Sequence, residues 1–212
     1  MKNLVIIGGS GFARELTWLI EENNKECLEW NILGYISEPV VDTKLKYPIL
    51  GDDNWLLNYE QTIYAACGVG NPYLRKKITE KFKDKKNIIF PNLISKCATV
   101  NKDTKFGKGC IVCAGTVINV DVEIGDFLLC NMSCVVSHDD IIGDYVTLDP
   151  NSNLLGFVTV GSYTEIGTGV QILPGKSVGN SVVVGAGAVV NKNLPDNCTA
   201  VGVPAKIIKY NK

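Results

Sequence analysis

Histidine occurs once in these 212 residues and methionine twice, and neither charge sign predominates: 21 lysines and arginines face 22 acidic residues, a formal net charge of −1. So neutral a chain has no global field to draw it to nucleic acid or an anionic membrane. It holds no run of 18 apolar residues, the minimum for a membrane-spanning helix. Met1 to Ile7 lacks the charged-then-apolar layout of a signal peptide, and a cytoplasmic location is expected. The eight cysteines stand singly, without framework spacing and several at core-facing positions. They read as reduced, buried thiols rather than a disulfide scaffold. Cys110 and Cys113 form one C-x-x-C, but with no second pair and no histidines nearby, no metal site is expected.

What the chain does have is a period. From Ile94 to Val190 every sixth residue is apolar, seventeen positions without a slip. With 46% apolar residues, chance gives such a run at a given register on the order of twice in a million. Glycine follows the ladder residue at positions 107, 125, 143, 161, 167, 179 and 185, and small or β-branched residues dominate two places before it. Six is neither the 3.6 of a helix nor the 2 of a strand; it is the hexapeptide signature of a parallel β-helix. Eighteen residues close one triangular coil, so five to six coils are expected, stacked at about 4.8 Å into a prism roughly 25 Å long. No insertion breaks the register. Beyond Val190, Gly202-Val203-Pro204-Ala205-Lys206 reads as an irregular cap over an otherwise open sheet edge, followed by a basic tail.

Ahead of the ladder, strand and helix signals alternate, which predicts a small open parallel sheet. Lys2–Ile7, Ile32–Ile36, Thr62–Cys67 and Asn87–Phe90 read as strands. Phe12–Asn24 reads as a helix, as does a stretch opened by Pro72 and running through Phe82. Pro48 to Asp52 reads as a turn into a helix capped by Asp52 or Asp53. The expected organisation is therefore α/β, a Rossmann-like domain over residues 1–90, then an all-β parallel β-helix with its cap over 91–212. Gly8-Gly9-Ser10-Gly11 joins the first strand to the first helix, a place where backbone N–H groups and the helix dipole favour an anion. The dinucleotide fingerprint is broken there by Ser10 and Ala13, which argues against a nicotinamide cofactor and leaves a nucleotide phosphate as the expectation, with a merely structural turn as the alternative. Gly70 permits close backbone approach; Asn71 and Arg75 either meet a phosphate or, for Arg75, form part of a solvated charged helix face.

The only histidine, His138, lies two places past ladder residue Val136 and so projects outward at a turn. Its imidazole suits a general base near neutral pH. Asp139 is placed to orient the ring; Asp140 competes for that role, or is a solvated turn residue. Eighteen residues on, one coil above, stands Gly156, whose unhindered N–H can face the imidazole as an oxyanion donor. Base and donor together suit acyl transfer; taken alone, the residues equally admit an exposed histidine with no chemical role.

The ladder, with Ser137-His138-Asp139, Ile142-Gly143-Asp144, Val184-Gly185-Ala186-Gly187-Ala188-Val189-Val190 and Gly202-Val203-Pro204-Ala205-Lys206, resembles the left-handed β-helix acyltransferases. Joined to Val5-Ile6-Ile7-Gly8-Gly9-Ser10-Gly11 and Arg14-Glu15, it resembles one branch over essentially the whole chain. That branch is the sialic-acid O-acetyltransferase and nucleotide-aminosugar N-acetyltransferase family, the NeuD/PglD type. The resemblance implies a homotrimer with active sites between neighbouring prisms, acetyl-CoA along the coils and a nucleotide sugar held by the N-terminal domain. It implies His138 as base, Asp139 as its partner, and Gly156 as the donor to the thioester oxygen. It places Gly156, Thr168 and Ala186 against the coenzyme. Thr147 stands where some members have a second, coenzyme-contacting histidine. Ser10, Gly11, Phe12, Ser37, Glu38 and Gly70 would hold the nucleotide, with Ser37-Glu38 in place of the usual aspartate pair, and Asn131 would bond the sugar.

The implied reaction is acetyl transfer from acetyl-CoA to the amine of a nucleotide-linked 4-amino-4,6-dideoxy sugar. A hydroxyl acceptor, as on sialic acid, is the alternative within the class. A non-catalytic trimeric scaffold is the alternative outside it, and predicts no thioester cleavage. A zinc enzyme of the hexapeptide carbonic anhydrase kind needs three histidines and is excluded.

Overall fold

The computed structural model describes residues 1–38 and 44–211. The chain divides into two compact units, Met1–Ser95 and Lys96–Lys212.

The first unit is a five-stranded parallel sheet. Its strands are β1 (Lys2–Ile7), β2 (Trp30–Ile36), β3 (Ile49–Gly51), β4 (Ile63–Cys67) and β5 (Ile88–Ile89). Their spatial order is β3-β2-β1-β4-β5, so the chain reverses direction across the sheet between β1 and β4. The central strand is the most apolar: Leu4, Val5, Ile6 and Ile7 are all buried, as a parallel strand covered on both faces requires. Three helices connect the strands: α1 (Gly11–Glu26), α2 (Asp53–Leu57) and α3 (Pro72–Thr79), the last continuing into a 3-10 turn through Phe82. Asp52 caps α2 by accepting the Asn54 and Trp55 N–H groups. Asn71 caps α3 by accepting the Leu74 N–H, with Pro72 in the first turn. The sequence pattern predicts a turn over residues 49–51. They form edge strand β3, which three residues ending in glycine are too short to announce.

The second unit is the expected prism, the left-handed parallel β-helix. One face stacks six two-residue strands, from Thr99–Val100 to Val189–Val190, each pairing with the strand eighteen residues away. A second face stacks five, from Lys105–Phe106 to Ser177–Val178. The third runs through Ile111–Val112, Leu129–Cys130, Thr147–Leu148, Glu165–Ile166 and Val183–Val184. Every ladder residue from Val112 to Val190 is buried; Ile94, Val100 and Phe106, on the first coil, are half-buried. The cap is more regular than expected. Cys198–Val201 adds in parallel to the third face, and Lys206–Tyr210, read from sequence as a tail, returns antiparallel beside it. Cys27 and Cys97 are exposed, while the other six cysteines are buried.

One corner is stitched by side chains. Asp126 accepts the Lys108 N–H, Asp144 that of Asp126, Ser162 that of Asp144, and Asn180 that of Ser162, at 2.7–3.0 Å. Beside this polar ladder, Phe127, Tyr145 and Tyr163 stack coil on coil with centroids 5.0 and 5.7 Å apart. The two ladders add directional contacts to the uniform apolar core, and so stiffen the prism that carries His138.

Candidate active site

In the first unit, the C-terminal ends of β1, β2 and β4 surround a cleft of about 630 Å3 at the point where strand order reverses. Open α/β sheets bind their ligands at this place. The ladder bonds Gly8 N–H to Ile36 O, Gly68 N–H to Ile7 O and Ser37 N–H to Gly51 O fix the three loops at its rim. Ser10, Ser37, Glu38 and Gly70 line it; Gly11 and Phe12 open α1 and are not among the lining residues. Sequence reasoning missed Lys77, which supplies positive charge to the cleft, and the Asp53–Lys81 ion pair at its edge. Their i, i+4 placement on the face of α3 and its continuation was the available signal. The missing third fingerprint glycine also has its explanation. Helix α1 packs its buried Ala13 onto Gly68, where an added Cβ would lie 2.9 Å from the Ala13 Cα.

Arg75 fits neither sequence reading. Its side chain is buried, and Nη1 donates to the carbonyls of Val69 at 2.9 Å and Gly70 at 2.7 Å. It shapes the loop that lines the cleft instead of touching a phosphate itself. An interior arginine on a helix is indistinguishable in sequence from its solvated neighbours Lys76 and Lys77. Arg75→Met is expected to remove the donor that both carbonyls share, lowering stability by about 2–4 kcal/mol. Nucleotide affinity measured by calorimetry should fall with it.

In the second unit, His138 and Gly156 share the prism corner that follows Val135–Val136 and Asn153–Leu154. The His138 ring is half-exposed, and its Nδ1 lies 2.8 Å from Asp139 Oδ2. An acceptor there fixes the proton on Nδ1 and leaves the Nε2 lone pair outward. A Cβ built on Gly156 would sit 2.9 Å from Nε2, so the glycine lies directly over the basic nitrogen. The Phe157 N–H binds His138 O at 3.1 Å, while the Gly156 N–H makes no hydrogen bond among the described residues. An imidazole nitrogen and a residue whose N–H has no partner among the described residues are thus neighbours. Phe157, which the sequence reading passed over, sets its ring edge-on to the imidazole at 5.1 Å and is 62% exposed. Its signal was its place eighteen residues after Asp139.

Asp139, not Asp140, makes the bond to the ring. Asp140 is neither a competitor nor a solvated turn residue: it is fully buried, with Oδ1 accepting the Val158 N–H at 2.8 Å. Burial pushes its carboxyl above the ordinary range, against the backbone N–H groups of Val158 and Ser137 and the nearby imidazole, which pull it down.

Thr168 and Ala186 are exposed and one coil apart, and neither N–H makes a hydrogen bond among the described residues. They occupy, with Asn131, the corner that follows the third face, not the corner of His138. Asn131 is half-buried and accepts the Met132 N–H. Thr147 departs from expectation: it is buried, with its N–H bound to Thr164 O, and offers no exposed side chain to a coenzyme.

The family profile described as the PglD N-terminal domain matches residues 3–82. PerB from Caulobacter crescentus, solved with CoA and GDP-perosamine, is 33% identical, covers 99% of this chain and 98% of its own, and superposes with a TM-score of 0.85. The chain belongs to the left-handed β-helix sugar acetyltransferases of the NeuD/PglD type. The acetyltransferase domain of PglB from Neisseria gonorrhoeae, solved with acetyl coenzyme A, is 27% identical, with 98% and 99% of the two chains covered and a TM-score of 0.89. WeeI from Acinetobacter baumannii is 27% identical over 98% and 100%, with a TM-score of 0.86. No curated protein matched the sequence. This acyltransferase contains no helix, among its described residues, long and apolar enough to cross a membrane.

Proposed function

We propose that the acyltransferase moves the acetyl group of acetyl-CoA onto the amine of a nucleotide-linked 4-amino-4,6-dideoxy sugar, by direct attack and without a covalent enzyme intermediate. The observation that carries the reading is the packing of Gly156, whose N–H makes no hydrogen bond among the described residues, against His138 Nε2. In this reading His138 takes the proton from the attacking amine and returns it to the departing thiolate. Gly156 N–H receives the negative charge that grows on the carbonyl oxygen, and Asp139 holds the ring in place. An amine is already a good nucleophile, so the base supplies about 10²- to 10⁴-fold and positioning the rest.

Acetyl-CoA is the donor that the prism fits. The N–H groups of Thr168 and Ala186 stand open, and a Cβ added at Gly169, Gly175 or Gly187 would meet nothing, so an extended chain has room along the coils. Thr168, Gly169, Ala186 and Gly187 lie on a different corner of the prism from His138, so a coenzyme touching both would lie between neighbouring copies. This supports a homotrimer. The half-exposed Val117 and Ile141 on the prism faces are consistent with such packing. In the first unit, the α1 N-terminus and Lys77 would take the diphosphate and Ser37-Glu38 the nucleoside. The reaction needs acetyl-CoA and a nucleotide sugar together, which supports a cytoplasmic location.

The test is thiol release from acetyl-CoA with UDP-, GDP- and dTDP-linked 4-amino sugars and free sialic acid as acceptors. Turnover with at least one amino sugar, giving the N-acetyl product, is expected. Turnover with sialic acid alone would move the acceptor to a hydroxyl, and none at all would favour the scaffold.

A further inference from the structure

Two irregularities of the prism coincide. Among the described corners, the one at Gly156-Phe157 alone has two successive residues of positive φ, +78° and +55°; elsewhere a single residue turns the chain. The place two residues before each ladder residue faces inward and holds small or apolar side chains almost throughout. Asp140 is the sole carboxylate there, and it lies one coil from that corner.

The bonds around the corner account for the coincidence. Of the three successive donors at 156–158, Phe157 N–H goes to His138 O at 3.1 Å and Val158 N–H to Asp140 Oδ1 at 2.8 Å. Ile141 N–H returns to Val158 O at 2.9 Å. The Gly156–Val158 turn is thus tied at two points to the turn that carries His138, and the one N–H left over is that of Gly156, the residue packed against Nε2. A carboxylate is costly in such an interior. Asp140 Oδ2 is buried with no hydrogen-bond partner, an atom that needs an explanation. A hydroxyl does the same backbone task more cheaply elsewhere: Thr164 Oγ1 accepts the Val182 N–H at 3.1 Å from the same place in its sextet.

We infer that Asp140 is a positioning residue, whose inward carboxylate clamps the Gly156–Val158 turn over His138 and so holds the Gly156 N–H at the reacting carbonyl. It acts through that turn and does not itself touch substrate. The inference rests on the acyl-transfer reading of the site, and half of its test is independent of that reading.

Asp140→Val places at 140 the residue found at the equivalent positions 122, 146 and 158, so the variant is expected to fold. With the full-length protein, kcat should fall at least about tenfold with both KM values within about twofold of the parent, because only the transition-state contact is loosened. Hydrogen–deuterium exchange of the peptide spanning 154–158 should quicken. Asp140→Thr, which restores an acceptor for Val158 N–H as Thr164 does for Val182, should recover most of both losses. Parental turnover in the valine variant, or a threonine variant no better than valine, would overturn the clamp. Should no acetyl transfer be found in the parent, the acyl-transfer reading fails. The exchange comparison of the two variants then still decides whether Asp140 holds the turn.

Discussion

His138→Ala is expected to lower kcat about 10²- to 10⁴-fold and leave both KM values nearly unchanged, the signature of a base that acts only in the transition state. The ring is half-exposed, and the backbone carbonyl that binds Phe157 N–H survives the substitution. Stability should therefore stay within about 0.5 kcal/mol of the parent, as for a surface change. A large fall in kcat at constant melting temperature separates a chemical role from a structural one. The measurement is thiol release under saturating acceptor and acetyl-CoA, with a thermal melt on the same sample. Near-parental turnover would remove His138 from the mechanism.

Gly156→Ala is the second large effect, and its signature differs. The backbone there sits at φ +78°, which costs an L residue about 1–2 kcal/mol. The new methyl would also lie 2.9 Å from Nε2, closer than real contacts allow, so the ring must leave its place. A displacement near 1 Å at a reacting group costs about 10²-fold in rate. The variant should lose both kcat and a few degrees of melting temperature, where His138→Ala loses only kcat. Combining the two should cost less than the product of the separate losses, because an absent ring has no position left to disturb. Independent, multiplying losses would show that Gly156 does not work with the base.

Much of this site was legible in the sequence because the solenoid register is uninterrupted. Adding eighteen to 138 lands on 156, and the structure places the two residues in contact. The period reads position, however, and not what occupies it. Asp140 falls at an inward position, yet an aspartate beside a histidine reads as solvent-facing, and only the structure shows the Val158 N–H that draws it in. Thr147 errs the other way. Its place next to a ladder residue points outward, but outward-facing Ile111, Leu129 and Thr147 on that face are all buried. In the first unit, the pattern gives strands and helices but not their interior polar contacts, so Arg75 was misread and the short edge strand at 49–51 overlooked. The carboxylate partner of the imidazole was legible as a pair of candidates; a 2.8 Å contact selects Asp139.

The central claim is that one base and one backbone donor suffice for direct transfer, with no acyl-enzyme. Mixing the enzyme with acetyl-CoA in the absence of an acceptor, and following both thiol release and the intact mass of the protein, tests it most directly. No burst of thiol and no acetyl adduct are expected, with release beginning only when the amino sugar is added. A stoichiometric burst accompanied by an acetylated protein, with one of the cysteines as the obvious carrier, would contradict it.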